Sequence, residues 1–181
     1  MQDLSLHLLD LAQNSIAAGA LHIVLQGIRM PGRLKILVED DGCGMTKEES
    51  IRTRDPFYTT RTTRRIGLGL PLFRQAAELT GGWCAVFSQK GIGTQVVAVF
   101  DTGHINMLPV GDLAATFTAL VQCNPLRDFR LVWETEQGKA VLDTRPLREV
   151  MEEIPLNTPE AICWMRAYWE EQFAGLEKPV V

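Results

Sequence analysis

The sequence lacks the features of a secreted, zinc-binding or nucleic-acid-binding protein. Its four cysteines lie far apart and form no CxxC pair, which argues against a zinc site or a disulfide framework and favours reduced thiols. A formal net charge of −4 gives no reason to expect a nucleic-acid-binding surface. Asp3, His7 and Asp10 interrupt the leucine-rich N-terminus, so it is neither a signal peptide nor a membrane span. We therefore expect a cytoplasmic protein with no nucleic-acid or membrane partner.

The composition is that of an ordinary globular protein. Hydrophobic residues make up 46% of the chain and mean hydropathy is near zero, so there is enough apolar material for a core. A length of 181 residues suits one domain with an appendage, or two small domains.

The most informative stretch surrounds the end of a predicted strand. One face of this strand carries three apolar side chains and a carboxylate, namely Leu34, Ile36, Val38 and Asp40. A carboxylate at the end of a buried face is costly unless it is hydrogen-bonded. Gly42 and Gly44 follow, where the backbone must turn sharply and a ligand can approach. The pattern suits a ligand that offers a donor, such as the amino group of a purine, and also an ordinary strand end with a turn.

Residues 3–18 are predicted to form an amphipathic helix that ends at Gly19. Asp10 and Asn14 are four residues apart, so their side chains lie on the same side of this helix. They form either part of a site or the solvated edge of the helix.

Two hairpins are predicted in the first 101 residues. The runs 21–29 and 33–40 flank a Pro-Gly turn, and the runs 83–88 and 94–100 flank a glycine-containing turn. The order helix, hairpin, loop, helix, hairpin predicts an α/β (α+β) two-layer sandwich with its helices on one face of the sheet.

A long polar loop and a glycine pair lie between these hairpins. Thr46-Lys-Glu-Glu49 is a capping-box pattern, so a short helix should begin there. Residues 55–65 contain four threonines and three arginines, which suits phosphate binding or a solvated surface loop. Gly67 and Gly69 open the next helix, where free N–H groups and the helix dipole favour an anion. A GxG pair alone more often indicates only close packing, and the preceding Thr/Arg-rich loop strengthens the phosphate interpretation.

From residue 102 onward no motif points to chemistry. A helix at 113–121, a hairpin around Gln137-Gly-Lys139 and a helix from Thr158-Pro-Glu160 to Gly175 predict a small α/β C-terminal extension. The sequence leaves open whether residues 102–181 pack on the first part of the chain or form a separate unit.

Five motifs, in this order, resemble the nucleotide-binding boxes of one superfamily. They are Asp10-Leu-Ala-Gln-Asn14, Asp40-Asp-Gly-Cys-Gly44, Asp55-Pro-Phe-Tyr-Thr-Thr-Arg61, Gly67-Leu-Gly-Leu70 and Gly91-Ile-Gly-Thr94. They look like the N, G1, F, G2 and G3 boxes of the GHKL superfamily of gyrase, heat-shock chaperone, histidine-kinase and mismatch-repair ATPases, and are most similar to the histidine-kinase catalytic domain. The resemblance implies a Bergerat ATP-binding fold over residues 1–101, with a lid at about 45–66, followed by a possible docking region at 102–181.

The same resemblance implies ATP and Mg²⁺ as ligands. The implied ATP-binding residues are Asn14, Asp40, Gly42, Gly44, Thr60, Arg61, Gly67, Leu68, Gly69 and Thr94. Asn14 would coordinate Mg²⁺ through its amide oxygen, and Asp40 would accept a hydrogen bond from the adenine amino group. Thr94 would support the adenine end, while Gly67 and Gly69 would offer backbone N–H groups to the phosphates. Arg61 would meet the γ-phosphate.

Asp10 is the implied catalytic residue. Histidine kinases usually have Asn at this position, whereas hydrolytic members and mitochondrial-type serine kinases have Glu. A carboxylate here can act as general base on water or on a substrate hydroxyl, or can hold Mg²⁺ through a water molecule. We therefore expect a protein that binds Mg-ATP and hydrolyses it or phosphorylates an unidentified partner protein. A non-catalytic ATP-dependent protein-binding switch is the alternative.

Autophosphorylation in the manner of a sensor kinase is not expected. The three histidines, His7, His22 and His104, fall on the first helix, at the start of a strand and in a linker. None of them is predicted to lie on a separate helical hairpin that would present a phosphoacceptor.

Overall fold

The computed structural model describes residues 3–52, 69–152 and 154–176. The helices in these ranges are α1 (Leu4–Ala17), α2 (Lys47–Arg52), α3 (Gly69–Leu79), α4 (Leu113–Cys123), α5 (Thr144–Met151) and α6 (Pro159–Ala174). The strands are β1 (His22–Met30), β2 (Arg33–Asp40), β3 (Trp83–Gln89), β4 (Gly93–Asp101), β5 (Asp128–Thr135) and β6 (Gly138–Asp143).

The six strands form one mixed sheet in the order β3-β4-β2-β1-β5-β6. The hairpins β1–β2, β3–β4 and β5–β6 are antiparallel, as predicted, and β2 also pairs antiparallel with β4. The pairing of β1 with β5 is parallel, with Leu25 opposite Leu131. The last two strands therefore extend the sheet that the first four begin.

Helices α1, α3, α4 and α6 contribute buried residues to one face of this sheet. Leu8, Phe73, Phe117 and Trp169 are examples from the four helices, and they join alternating strand residues in a single core. The indole of Trp133 on β5 lies over Gly27 of β1, the residue opposite it in the sheet. Glycine is needed there because a Cβ at position 27 would collide with the indole. The predicted two-layer sandwich with its helices on one face is confirmed.

The N-terminus of α1 is fixed by the segment that leads to α4. The Asp3 side chain accepts from the Leu6 amide at 3.0 Å, and the Leu4 and Ser5 amides donate to the carbonyls of Pro109 and Val110 at 2.9 Å. These contacts satisfy amide groups that a helix start otherwise leaves unpaired. They fix the position of the helix that carries Asp10 and Asn14.

The predicted capping box begins α2. Thr46 Oγ1 accepts from the Glu49 amide at 3.2 Å, and Glu49 Oε2 accepts from the Thr46 amide at 2.8 Å. Across the described ranges, no helix is both long enough and apolar enough to cross a membrane.

Candidate functional site

Asp40 ends β2 with both carboxylate oxygens hydrogen-bonded. Its Oδ2 accepts from the Ser15 hydroxyl at 2.6 Å, and its Oδ1 accepts from the Gly42 amide at 2.9 Å. The three apolar residues that precede it on the same strand face are buried, as the alternating pattern predicts. A carboxylate oxygen accepts more than one hydrogen bond, so the oriented Asp40 retains capacity for a donor from a ligand.

The turn after Asp40 contacts the turn that connects β3 and β4. Gly44 has φ of +58°, and a Cβ there would collide with the carbonyl oxygen of Gln89. The Gly91 amide donates to the Cys43 carbonyl at 2.8 Å. The glycines of two separate predicted boxes therefore bring two backbone segments together.

Ser88 connects the same turn with Thr94. Its Oγ accepts from the Met45 amide at 2.8 Å, lies 2.9 Å from Thr94 Oγ1 and donates to the Gly93 carbonyl at 3.0 Å. Thr94 lies directly opposite Asp40 in the β2–β4 register. Asp40 and Thr94 are thus neighbours on one sheet face, and Ser88 holds Thr94 from the edge strand.

Asp10 and Asn14 lie beside the first turn of α3. A Cβ added at Gly69 would be 3.2 Å from Asp10 Cβ, 3.5 Å from Asp10 Oδ2 and 3.7 Å from Asn14 Nδ2. Glycine thus permits α1 and α3 to approach closely here. Within the described ranges, the Asp10 carboxylate forms no hydrogen bond or ion pair, so its oxygens are available to a ligand.

The donor types at this position fit a magnesium nucleotide. Backbone N–H groups at a helix N-terminus bind phosphate, and α3 begins at Gly69. Mg²⁺ takes one or two protein oxygen ligands together with phosphate oxygens and waters. The carboxylate of Asp10 and the amide oxygen of Asn14 are ligands of this kind.

Part of the predicted site lies outside the described residues. Thr60, Arg61, Gly67 and Leu68 belong to this part, as does most of the lid, and their roles stay predictions. Helix α2, which lies at the start of the predicted lid, approaches the β3–β4 turn, where Lys90 Nζ lies 3.9 Å from Glu49 Oε2.

Two residues of the site were missed in the sequence, Ser15 and Ser88. Both carried a usable signal, because each is a polar residue at a position that periodicity assigns to the inward face. Ser15 is buried in α1, four residues after the buried Leu11. Ser88 continues the inward face of β3 after Cys84 and Val86, and a polar residue there needs a hydrogen-bond partner.

Sequence comparison identifies the family to which the first part of the chain is similar. The family model described as Histidine kinase-, DNA gyrase B-, and HSP90-like ATPase matches residues 2–104, which is more than half of the chain. Over 84 residues the chain is 37% identical to the alginate biosynthesis sensor protein KinB of Pseudomonas aeruginosa, covering 46% of this chain and 14% of that protein. Over 113 residues it is 31% identical to the cell-division control histidine kinase PdhS of Brucella anthropi, covering 55% of this chain and 11% of that protein.

The chain therefore spans only a small fraction of the length of these curated relatives. Among solved structures, the N-terminal domain of a DNA repair protein matches with a TM-score of 0.55 and 17% identity, covering 79% of this chain and 53% of that one. At this level of identity the structural likeness supports the fold alone. The family match and the fold agree: the chain belongs to the histidine kinase-, DNA gyrase B- and HSP90-like ATPase family.

Proposed function

We propose that the chain binds Mg-ATP along α1 and uses Asp10 to activate a water or the hydroxyl group of a partner protein. The observation that carries the proposal is the placement of two carboxylates along this helix. Asp40 is tied to α1 through Ser15, while Asp10 lies one turn and a half earlier on α1, beside Gly69. An adenine end and a phosphate end are thereby arranged along one rigid element.

At the adenine end, Asp40 acts as the acceptor for the purine amino group. Ser15 and the Gly42 amide fix the carboxylate from two directions, so little conformational freedom is lost when the base binds. Gly42 itself leaves little space for a larger residue, since a Cβ there would lie 3.0 Å from both Ala18 Cβ and Asp40 Oδ1. Thr94 closes the same end from β4.

At the phosphate end, Asn14 provides an oxygen ligand for Mg²⁺, and the first amide groups of α3 bind the phosphates. Mg²⁺ held there would supply positive charge beside the transferred phosphoryl group. Asp10 then orients the attacking hydroxyl and removes its proton, which requires the carboxylate to come within about 3 Å of that oxygen. The absence of a competing partner for Asp10 in the described part of the chain supports this role.

The experiment compares Mg-ATP binding and phosphate release by the purified chain and its Asp10→Asn variant. Asn has the shape of Asp but cannot take up a proton, so the account predicts retained binding and a fall in phosphate release of at least about a hundredfold. Equal release by the two proteins would contradict a catalytic role for Asp10.

The same experiment separates hydrolysis from the alternative. Tight binding without release by the wild-type chain would favour the ATP-dependent protein-binding switch, in which the nucleotide orders the lid around a partner. Release that is slow alone and is replaced by label transfer when a partner protein is added would favour a kinase.

A further inference from the structure

The face of the sheet opposite the helices is a regular array of three rows, each with one residue from every strand. In the order β3-β4-β2-β1-β5-β6, the row nearest the candidate site, here the proximal row, is Phe87, Gln95, Glu39, Val24, Arg130 and Asp143. The middle row is Ala85, Val97, Leu37, Gln26, Val132 and Val141. The distal row is Trp83, Val99, Lys35, Ile28, Glu134 and Lys139. None of them belongs to the core beneath the helices.

This open face is too apolar for a surface that only contacts water. Its middle row is apolar apart from Gln26, and its edge strand carries Trp83 and Phe87 with 50% and 58% of their surface exposed. A sheet face that is solvated normally presents polar side chains in alternation with a buried set. Exposed apolar surface marks an interaction surface, and here it is concentrated on the edge strand, because Val97 and Val132 of the middle row are only 6% and 3% exposed.

The charges on the open face identify the occupant, because three of the six strands carry charges of opposite sign in the proximal and distal rows. On β2 the proximal residue is Glu39 and the distal residue is Lys35. The same reversal occurs on β5, between Arg130 and Glu134, and on β6, between Asp143 and Lys139. Across these two strands the charges also pair within the chain, Arg130 with Asp143 and Lys139 with Glu134, each at 3.6 Å. The open face as a whole therefore attracts neither a polyanion nor a polycation.

A second copy of the chain satisfies this pattern in one orientation. The two sheets face each other across a twofold axis that runs along the middle row, perpendicular to the strands. Each strand then lies over the same strand of the second copy but runs in the opposite direction, so each proximal residue faces the distal residue of that strand. Glu39 then meets the second copy's Lys35, and Phe87 meets the second copy's Trp83. A twofold axis parallel to the strands would instead set the charged Asp143 of one edge on the Phe87 of the other.

The middle row also suits this orientation, because each of its residues faces the same residue of the second copy. The half-buried Leu37 then packs on its own equivalent in the second copy, and the half-buried Gln26 amide, which has both donor and acceptor atoms, pairs with its equivalent. Such self-complementarity is what an isologous twofold interface requires.

We propose that the open face binds a second copy of this chain across a twofold axis, with the two sheets packed face to face. Six strands and three rows give about 600 Å² of flat face per copy at ordinary strand spacings. That is the lower end of the range for a specific interface. Asp10, Asn14 and Asp40 project from the helix side, so the dimer leaves the candidate nucleotide site open.

Charge reversal on β2 tests this inference, with sedimentation velocity over a wide range of protein concentration as the measurement. Lys35 forms no ion pair among the described residues, and Glu39 contacts only Gln95, at 3.2 Å, so neither reversal breaks an ion pair within the chain. K35E or E39K alone places two like-charge contacts in each dimer, which should raise the dissociation constant about tenfold. The double variant K35E/E39K restores opposite charges and should dimerise like the wild type.

The control is E171K, an equal change of charge on the exposed surface of α6, which should leave dimerisation unchanged. A wild-type chain that is monomeric at every concentration would overturn the proposal. So would a double variant that is as weak as the single variants, because the face would then bind something other than its own copy. The rise in melting temperature with Mg-ATP should persist in all variants, which separates this result from any failure of the nucleotide site.

Discussion

Ser15 donates a 2.6 Å hydrogen bond to Oδ2 of Asp40, and this contact joins the middle of α1 to the end of β2. Ser15 immediately follows Asn14 in the chain, so the helix that supplies the proposed magnesium ligand also orients the proposed adenine acceptor. A change at either end of the nucleotide pocket is therefore expected to reach the other end through α1.

Replacing Ser15 with Ala should weaken Mg-ATP binding by about tenfold, because Asp40 loses one of the two donors that orient it. Isothermal titration calorimetry measures the change. Ser5→Ala is a matched control, since Ser5 is also buried on α1 but donates to Asp3 at the far end of the helix. An affinity equal to that of the wild type would mean that the serine hydroxyl does not orient the carboxylate.

Gly44→Ala should destabilise the fold by more than the same substitution at Gly32. Both glycines have positive φ, +58° and +68°, so each substitution incurs the backbone cost of about 1–2 kcal/mol. Only at Gly44 would the new Cβ also collide with a backbone carbonyl, that of Gln89, whereas the space around Gly32 is open. Urea unfolding of the two variants measures the difference, and equal losses would show that the turn after β2 is not clamped by the hairpin.

His7 should make the fold sensitive to acid. It is buried with its ring 5.6 Å from that of Phe73, and Nδ1 has no hydrogen-bond partner among the described residues. Burial lowers the pKa of His7 below its usual 6.5, although the charges of Asp10 and Asp3 act in the opposite direction. The unfolded chain therefore takes up a proton at a higher pH than the folded chain does.

This contribution to stability is complete above the unfolded pKa and is lost as the pH falls below it. His7→Phe removes the titrating group and keeps an aromatic ring in the contact. The free energy of unfolding of this variant should fall less between about pH 7 and pH 5 than that of the wild type. If the free energy of unfolding, measured with urea, falls equally with pH in the wild type and in His7→Phe, then His7 is not the source of the acid sensitivity.

Local patterns predicted the elements that carry the site. The alternation along β2 placed Asp40 at the end of a buried face, and the capping box at Thr46 and Glu49 predicted the start of α2. The hairpins were also predicted correctly, because turn residues and strand residues are adjacent in the sequence. Each of these features depends on side chains within a few positions of one another.

Features that join distant segments were not predicted. The parallel pairing of β1 with β5 brings Ile23 beside Phe129, and no periodicity or turn residue encodes a contact over that separation. The hydrogen bonds of Ser15 and Ser88 are of the same kind, since their partners Asp40 and Met45 lie 25 and 43 residues away in the chain. The charge pattern on the open face could not be predicted without the strand order, because its rows form only when β2, β5 and β6 are aligned in one sheet.

The central claim is that Asp40 closes a pocket for adenine nucleotides, and thermal melting tests it most directly. A ligand that binds only the folded state must raise the melting temperature by mass action. The measurement compares the wild type with Asp40→Asn, each with Mg-ATP, with Mg-ADP and without nucleotide. We expect a clear nucleotide-dependent rise in the melting temperature of the wild type and a much smaller rise in the variant. A wild-type melting temperature that stays the same at saturating Mg-ATP, or an equal rise in both proteins, would contradict it.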